Sequence, residues 1–489
     1  MSRQTHPVML LVAPLLLASS IVSCARNPVT GKSELSLVSE SQEIQMGKEA
    51  SQQTIQSIGL VNDPQLQAYV SAIGMRMAAA SERPNLPWEF HVVNDASVNA
   101  FALPGGFIFV TRGLLTHINN EAELATVVGH EIGHVTNRHS VQQISNSQIA
   151  TLGLGLGSVL SSDVARYAGL ASQGLQVLFL KYSRDAESQA DLAGFRYALG
   201  QNYDVREMTS VFHTLDRVGE AAGGGKLPAW LSTHPAPANR VAATEARLDT
   251  LHKDLTNTVI NRDGFLQHVK GLTFGEDPRQ GYFQGNRFYH PDLRFQLTFP
   301  QGWRTQNAAD AVMAGSPNKD AIIQLALAGR ASPRDAVTRF LSQQGVKAGN
   351  GSTASVNGLP AASSYFEAQS DQGAVQGLVT FISYGGNTYG LLSYTVAGKL
   401  STYDAAFRQT AGSFDELRDQ AALSVQPAKV DLVKLPEEMT LAQFNARYPS
   451  SIPIGQLAII NEVDGADSVI PVGRTVKRVT GGTLPPGAR

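Results

Sequence analysis

The sequence predicts a multidomain α+β protein. A mainly helical domain with a short β-sheet is expected over residues 39–256, an α+β domain over 282–418, and a small module over 437–482. Three observations carry this division. The chain has 489 residues, more than one ordinary hydrophobic core takes up, so roughly two to four domains are expected. Its first half is dominated by apolar residues at helical spacing, and its second half by short alternating runs bounded by Gly, Pro and Asn. Two stretches of mixed character, 257–281 and 419–436, fall between these units as linkers.

Composition narrows the function classes. With 43% hydrophobic and 16% charged residues the chain has the balance of a folded protein, and a formal net charge of -2 leaves no basic excess to neutralise a nucleic-acid backbone. Cys24 is the single cysteine, so no disulfide forms within the chain. Residues 1–23 have the order of a signal peptide: Arg3, an apolar run from Val8 to Ala18, then Ile21-Val22-Ser23 before Cys24. The run is too short for an ordinary membrane span. Its end resembles a bacterial lipobox, which implies cleavage before Cys24 and a lipid on that residue. Ala25 stands where an inner-membrane retention aspartate is usual, so the resemblance implies a periplasmic protein anchored at the outer membrane.

Residues 24–38 are expected as a turn-rich lipidated tether. Ser39, with Gln42 three residues on, makes a capping box for a first helix. A second follows Asp63-Pro64, with Leu66, Tyr69, Val70, Ile73 and Met77 as its apolar stripe. Trp88–Val93 alternates like a strand, and Asn99–Thr111 reads as two short strands about Pro104-Gly105-Gly106. Residues 141–180 are rich in Gly, Ala, Ser and Leu, which suits either a cover over a cleft or a loosely packed helical hairpin. Further helices are expected from Tyr182, over Val205–Val218, and from Arg240 to about Leu251, with a break at Gly223-Gly224-Gly225. In the second domain, strands are expected at 295–299, 321–325, 379–383 and 388–392, and helices at 333–344 and 403–417.

The chemistry lies in His130-Glu131-Ile132-Gly133-His134. Positions four apart share a helix face, so His130 and His134 reach one metal ion, and Glu131 lies beside a water at that ion. Two core histidines and a surface glutamate are the plain alternative. The pattern with a third histidine on the same motif needs Gly and His at positions that are Asn137 and Ser140 here, and His139 comes one residue early. The third ligand must therefore come from elsewhere. Glu187 and Asp191, four apart on one helix, are a destabilising pair unless a cation lies near. This makes Glu187 the candidate ligand and Asp191 the acceptor for a histidine N–H. The set binds one Zn2+ with one position open. His234, held by Pro235, is either another imidazole at the zinc or a histidine fixed at a helix entry.

Together with the Asn99–Gly106 segment, Tyr182-Ser183-Arg184 and Thr233-His234-Pro235, these residues resemble the BepA/HtpX-like gluzincin zinc metallopeptidases (peptidase family forty-eight), in their periplasmic lipoprotein branch. The resemblance covers roughly 25–255. It implies a zinc endopeptidase acting on protein or peptide substrates, with His130, His134 and Glu187 as ligands and Glu131 as proton acceptor and donor. In this family the histidine matching His234 can occupy the fourth zinc position and silence the enzyme. His234 and Arg240 are the candidates for stabilising the oxyanion. The second domain resembles PsbP-like or Mog-like modules through Phe299-Pro300-Gln301-Gly302-Trp303 alone. The tail from Met439 to Lys477 resembles a degenerate LysM module, a resemblance that raises peptidoglycan as a partner, while Glu437-Glu438 in place of the usual Gly-Asp counts against glycan binding. An envelope scaffold with chaperone-like binding and a cell-wall amidase are the competing functions.

Overall fold

The computed structural model describes residues 23–153, 182–221, 230, 234, 238–308, 311–370 and 373–484. The expected signal peptide up to residue 22, and most of the glycine-rich stretch 141–180, lie outside them.

Strands β1 (Ser23–Arg26) and β2 (Ser33–Ser36) pair antiparallel. The segment expected as a tether is thus a hairpin fastened to the domain behind it. Asn27 Nδ2 donates to the Asn137 carbonyl at 3.1 Å, the Leu37 N–H to Ser145 Oγ at 3.1 Å, and Arg138 Nη2 to the Val38 carbonyl at 3.0 Å. Helix α1 (Glu40–Ile58) begins at the Ser39–Gln42 capping box, and α2 (Pro64–Ala79) is capped by Asp63 with Pro64 in its first turn.

Next come β3 (Glu89–Val93), β4 (Ala100–Leu103) and β5 (Phe107–Thr111), in sheet order β3-β5-β4. β3 runs parallel to β5, and β4 returns antiparallel as the edge strand. Gly105 and Gly106 have φ of 79° and 106°, which the turn between β4 and β5 requires. After α3 (Arg112–His117), Asn120 caps α4 (Glu121–Thr136), whose sixteen residues are all buried. A helix buried all round belongs at the centre of its domain. Around it lie α5 (His139–Gly153), α6 (Arg184–Gly200), α7 (Glu207–Ala221) and α8 (Ala238–Asp249).

The stretch 257–281 is more than a linker. Its helix α9 (Arg262–Val269) inserts Phe265, Leu266 and Val269 into the same core as Val128 and Ile132 of α4.

The second domain contains a small sheet, β6 (Tyr282–Gln284), β7 (Arg287–His290) and β8 (Phe295–Thr298), and then β9 (Arg304–Asn307), β10 (Ala311–Gly315), β11 (Ala321–Leu327), α10 (Pro333–Leu341), β12 (Val346–Val356), β13 (Leu359–Ser370), β14 (Gly373–Tyr384), β15 (Asn387–Val396) and α11 (Leu400–Gly412). β9 to β15 form an antiparallel sheet of seven strands in the order β12-β13-β14-β15-β11-β10-β9. Alternate residues of β14 face opposite sides. Val379 and Phe381 pack with Ala336 of α10, and Leu378 and Ile382 with Phe407 of α11. One helix therefore covers each face. Strand β16 (Asp415–Glu416) joins the small sheet beside β8; the expected helix 403–417 ends before it.

The stretch 419–436, also expected as a linker, contains β17 (Gln426–Lys434), which pairs along its length with β20 (Thr475–Thr483). Between them lie β18 (Met439–Thr440), α12 (Leu441–Arg447), α13 (Ile454–Ile460) and β19 (Val469–Ile470) around a core of Leu441, Phe444, Leu457 and Ile470. No described helix is long and apolar enough to cross a membrane.

Candidate metal centre

The site begins with how closely two helices approach. A Cβ on Gly133 of α4 would lie 2.9 Å from Ala193 Cβ, and one on Gly194 of α6 would lie 2.7 Å from the His130 backbone nitrogen. Only hydrogen fits at these crossings, and the contact brings the carboxylates of α6 against the imidazoles of α4. His130 Nε2 and His134 Nε2 end 3.0 Å apart. Glu187 presents Oε2 at 3.7 Å from the first and Oε1 at 3.5 Å from the second. His234, which precedes α8, brings its Nε2 to 3.8 Å from Glu187 Oε1 and 3.9 Å from Glu131 Oε1.

His130, His134, Glu187 and His234 are all buried, and their donor atoms lie within 4.8 Å of one another. Ligands at about 2.0–2.1 Å from a tetrahedral zinc stand roughly 3.3 Å apart, so these separations suit one ion. The donor chemistry agrees. Both Glu187 carboxylate oxygens are buried without a hydrogen bond, an arrangement that costs several kcal/mol unless a cation compensates it, by roughly the effective penalty for a buried ion. Burial pushes the Glu187 carboxyl up to about 9, although Arg240 opposes this. Burial also lowers His130, His134 and His234 from the ordinary imidazole value, which leaves them neutral, the form that ligates.

Asp191 stands behind the first ligand. Its Oδ1 is 2.9 Å from His130 Nδ1, and Arg240 grips the same carboxylate with Nε at 2.9 Å and Nη2 at 2.6 Å. Burial opposes ionisation here, yet Arg240 and His130 hold the Asp191 carboxyl well below the usual range. The Arg240 guanidinium is buried over the Phe212 ring at 4.4 Å, with Nη1 at 3.4 Å from Glu187 Oε2. Glu131 is buried too, with the Ala102 backbone N–H of edge strand β4 as its polar neighbour, and burial raises its carboxyl to about 8.

The structure thus collects every predicted site residue of the first domain except Cys24, which lies on β1. It adds three that the sequence did not single out. Trp230 stacks on the His234 ring at 4.0 Å, Tyr182 on the His134 ring at 4.0 Å, and His139 Nδ1 lies 2.9 Å from His134 Nδ1. Tyr182 and His139 stood in quoted motifs, but nothing local shows that a neighbouring helix folds them back onto a ligand.

Residues 64–248 match the family model of peptidase family M48. That segment is similar to the peptidase domain of this family. Its similarity extends to named proteins. The beta-barrel assembly-enhancing protease of Escherichia coli is 31% identical over 254 residues, 50% of this chain and 51% of its own length. A putative beta-barrel assembly-enhancing protease of Vibrio cholerae is 32% identical over 196 residues, covering 38% of this chain and 40% of its own. The mitochondrial metalloendopeptidase OMA1 of Arabidopsis thaliana is 38% identical over 166 residues, covering 33% and 32%. The chain therefore spans about half, or less, of the length of these relatives. All three α4 site residues, both α6 carboxylates, His234 and Arg240 fall within the matched segment.

Proposed function

We propose that the protein is a zinc metalloendopeptidase of the bacterial periplasm, anchored by lipid on Cys24, that hydrolyses misfolded or envelope proteins. The observation that carries this reading is the buried Glu131 carboxylate beside a cluster of four donors that suits one zinc ion. When bound, zinc supplies a Lewis acid that polarises the scissile carbonyl and lowers the pKa of water. Glu131, buried beside the ligand point, is placed to take a proton from the attacking water and return it to the departing amine. Asp191, held ionised by Arg240, fixes the His130 ring with Nε2 toward the ligand point. With two of its nitrogens engaged by Asp191, Arg240 serves this ligand support better than it serves the oxyanion. His234 already stands among the donors, so the geometry supports a closed form in which its ring fills the fourth position and must leave before substrate enters.

The proposed anchor bears on the substrate. Asn27, three residues beyond Cys24, is already docked on the M48 domain through the Asn137 carbonyl. Three extended residues reach about 10 Å, so a lipid on Cys24 would hold the metal helix close to the bilayer surface. Envelope proteins at the membrane suit that placement, and envelope protein quality control is the role that the names of the relatives support. The middle domain and the tail would then present or select substrates, with peptidoglycan as a partner of the LysM-like tail.

The test uses the full chain. Glu131→Gln should retain zinc and lose cleavage of casein by about a hundredfold or more. Casein cleavage at the wild-type rate by that variant, or wild-type release of peptides from purified peptidoglycan with casein left intact, overturns the reading.

A further inference from the structure

We propose that His139 is a positioning residue that fixes the tautomer and orientation of His134 through a relay ending on Gln189. The inference rests on the metal-centre reading and extends it to the second histidine. His134 directs Nε2 at the ligand point, 3.0 Å from His130 Nε2 and 3.5 Å from Glu187 Oε1. A neutral imidazole that ligates through Nε2 carries its proton on Nδ1, and that N–H needs an acceptor. The atom facing it is His139 Nδ1, at 2.9 Å, buried and across an edge-to-face ring pair of 74°. His139 must therefore offer a lone pair from Nδ1, which puts its own proton on Nε2. That nitrogen lies 3.3 Å from Gln189 Oε1, an amide oxygen that accepts and does not donate. A doubly protonated His139 would set two N–H groups head to head on the His134–His139 axis.

The two metal histidines are thus supported by different chemistry. His130 leans on a carboxylate, Asp191, and His134 on a neutral imidazole. Charge balance gives the reason. Glu131, Glu187 and Asp191 already place three carboxylates around the site, which a divalent ion and Arg240 together offset. A fourth carboxylate behind His134 would leave the buried centre with excess negative charge. The Tyr182 ring, stacked at 4.0 Å on His134, limits its rotation from a third side.

The full-length protein, labelled with nitrogen-15 at histidine and loaded with zinc, tests this directly. Long-range proton–nitrogen spectra should show His134 as the Nδ1–H tautomer and His139 as the Nε2–H tautomer. Finding His139 as Nδ1–H or as imidazolium overturns the relay without any variant. His139→Phe removes the acceptor and should weaken zinc, measured by chelator competition, roughly 10–100-fold. His139→Gln, which returns an acceptor, should recover most of that loss. Wild-type zinc affinity in His139→Phe overturns the proposal. Failure of the unaltered protein to bind zinc would instead remove the metal-centre reading, so the two failures are distinguishable.

Discussion

Arg240 is buried away from bulk solvent, and its partners account for its place. It pairs with Asp191 at 2.6 Å and lies 3.4 Å from Glu187. Removing one member of such a buried pair leaves the other uncompensated, which typically costs about 3–5 kcal/mol. Arg240→Met should therefore destabilise the first domain more than Asp191→Asn, as read by urea denaturation of both variants. Asp191→Asn keeps an oxygen facing His130 but loses the charge, and its zinc dissociation constant should rise roughly 10–100-fold. Removal of zinc by a chelator should lower the melting temperature of the full chain, because the ion binds the assembled site and not the unfolded chain. An unchanged melting curve would contradict a metal held by these residues. His130, Glu131 and His134 were legible in the sequence because a helix alone places them together. Glu187 and Asp191 were legible through their otherwise unfavourable spacing. His139, set aside in the sequence as one residue early, contacts His134 through the turn between α4 and α5, where Arg138 takes a φ of 58°.

At the scale of elements, the α4–α6 crossing decides whether the ligands meet. Gly133→Ala would force its Cβ to within 2.9 Å of Ala193 Cβ and 3.0 Å of the Ala190 backbone. Overpacking of this kind costs about 1–3 kcal/mol. The variant should melt earlier and bind zinc more weakly, because the helices separate where Glu187 faces the histidines. An Ala in place of Gly200, which has open space around it, is the control that should keep both properties. In the second domain the expected strands at 321–325, 379–383 and 388–392 lie within β11, β14 and β15. β12 and β13 were not expected; residues 346–364 are mostly Gly, Ala, Ser and Thr without an apolar alternation. The signal that could have found them is Asn357-Gly358, with φ of 49° and 81°, the left-handed pair of a tight hairpin. β12 is largely exposed on both faces, so no hydrophobic pattern was required along it; pairing with β13 holds it, with Val346 and Val356 at its ends packed against neighbouring cores.

Across the whole molecule, the tail packs on the support of the metal helix. Lys477 is fully buried and its ammonium donates to the carbonyls of Thr116, His117 and Ile118 at 3.0, 3.3 and 2.8 Å, the end of α3 just before the cap of α4. Arg217 Nη2 donates to the Val463 carbonyl at 2.8 Å and Arg262 lies 3.6 Å from Glu462. Burial, aided by the Arg262 charge, brings Lys477 down to about 7 from 10.5. Between those values the unfolded chain binds more protons than the folded one, so raising the pH favours the folded state. From pH 7 to 9 the stability of the unaltered protein should gain about 2 kcal/mol over that of Lys477→Met. Denaturation at the two pH values measures it, and equal gains in both proteins would show that Lys477 does not titrate in this range.

The amino-acid order alone specified the helix that carries His130, Glu131 and His134, its candidate ligand Glu187, the helix starts at Ser39 and Asp63, and the change from helical to strand periodicity. All of these follow from local spacing, which a helix or strand reports wherever it is placed. Only the tertiary structure decided that residues 257–281 and 426–434 are structural parts of their neighbours, that 24–38 is docked, and that Arg240 grips Asp191. Those outcomes depend on which buried charge finds which partner and on how closely Gly133 and Gly194 let two helices approach, and neither is encoded in any single stretch of chain.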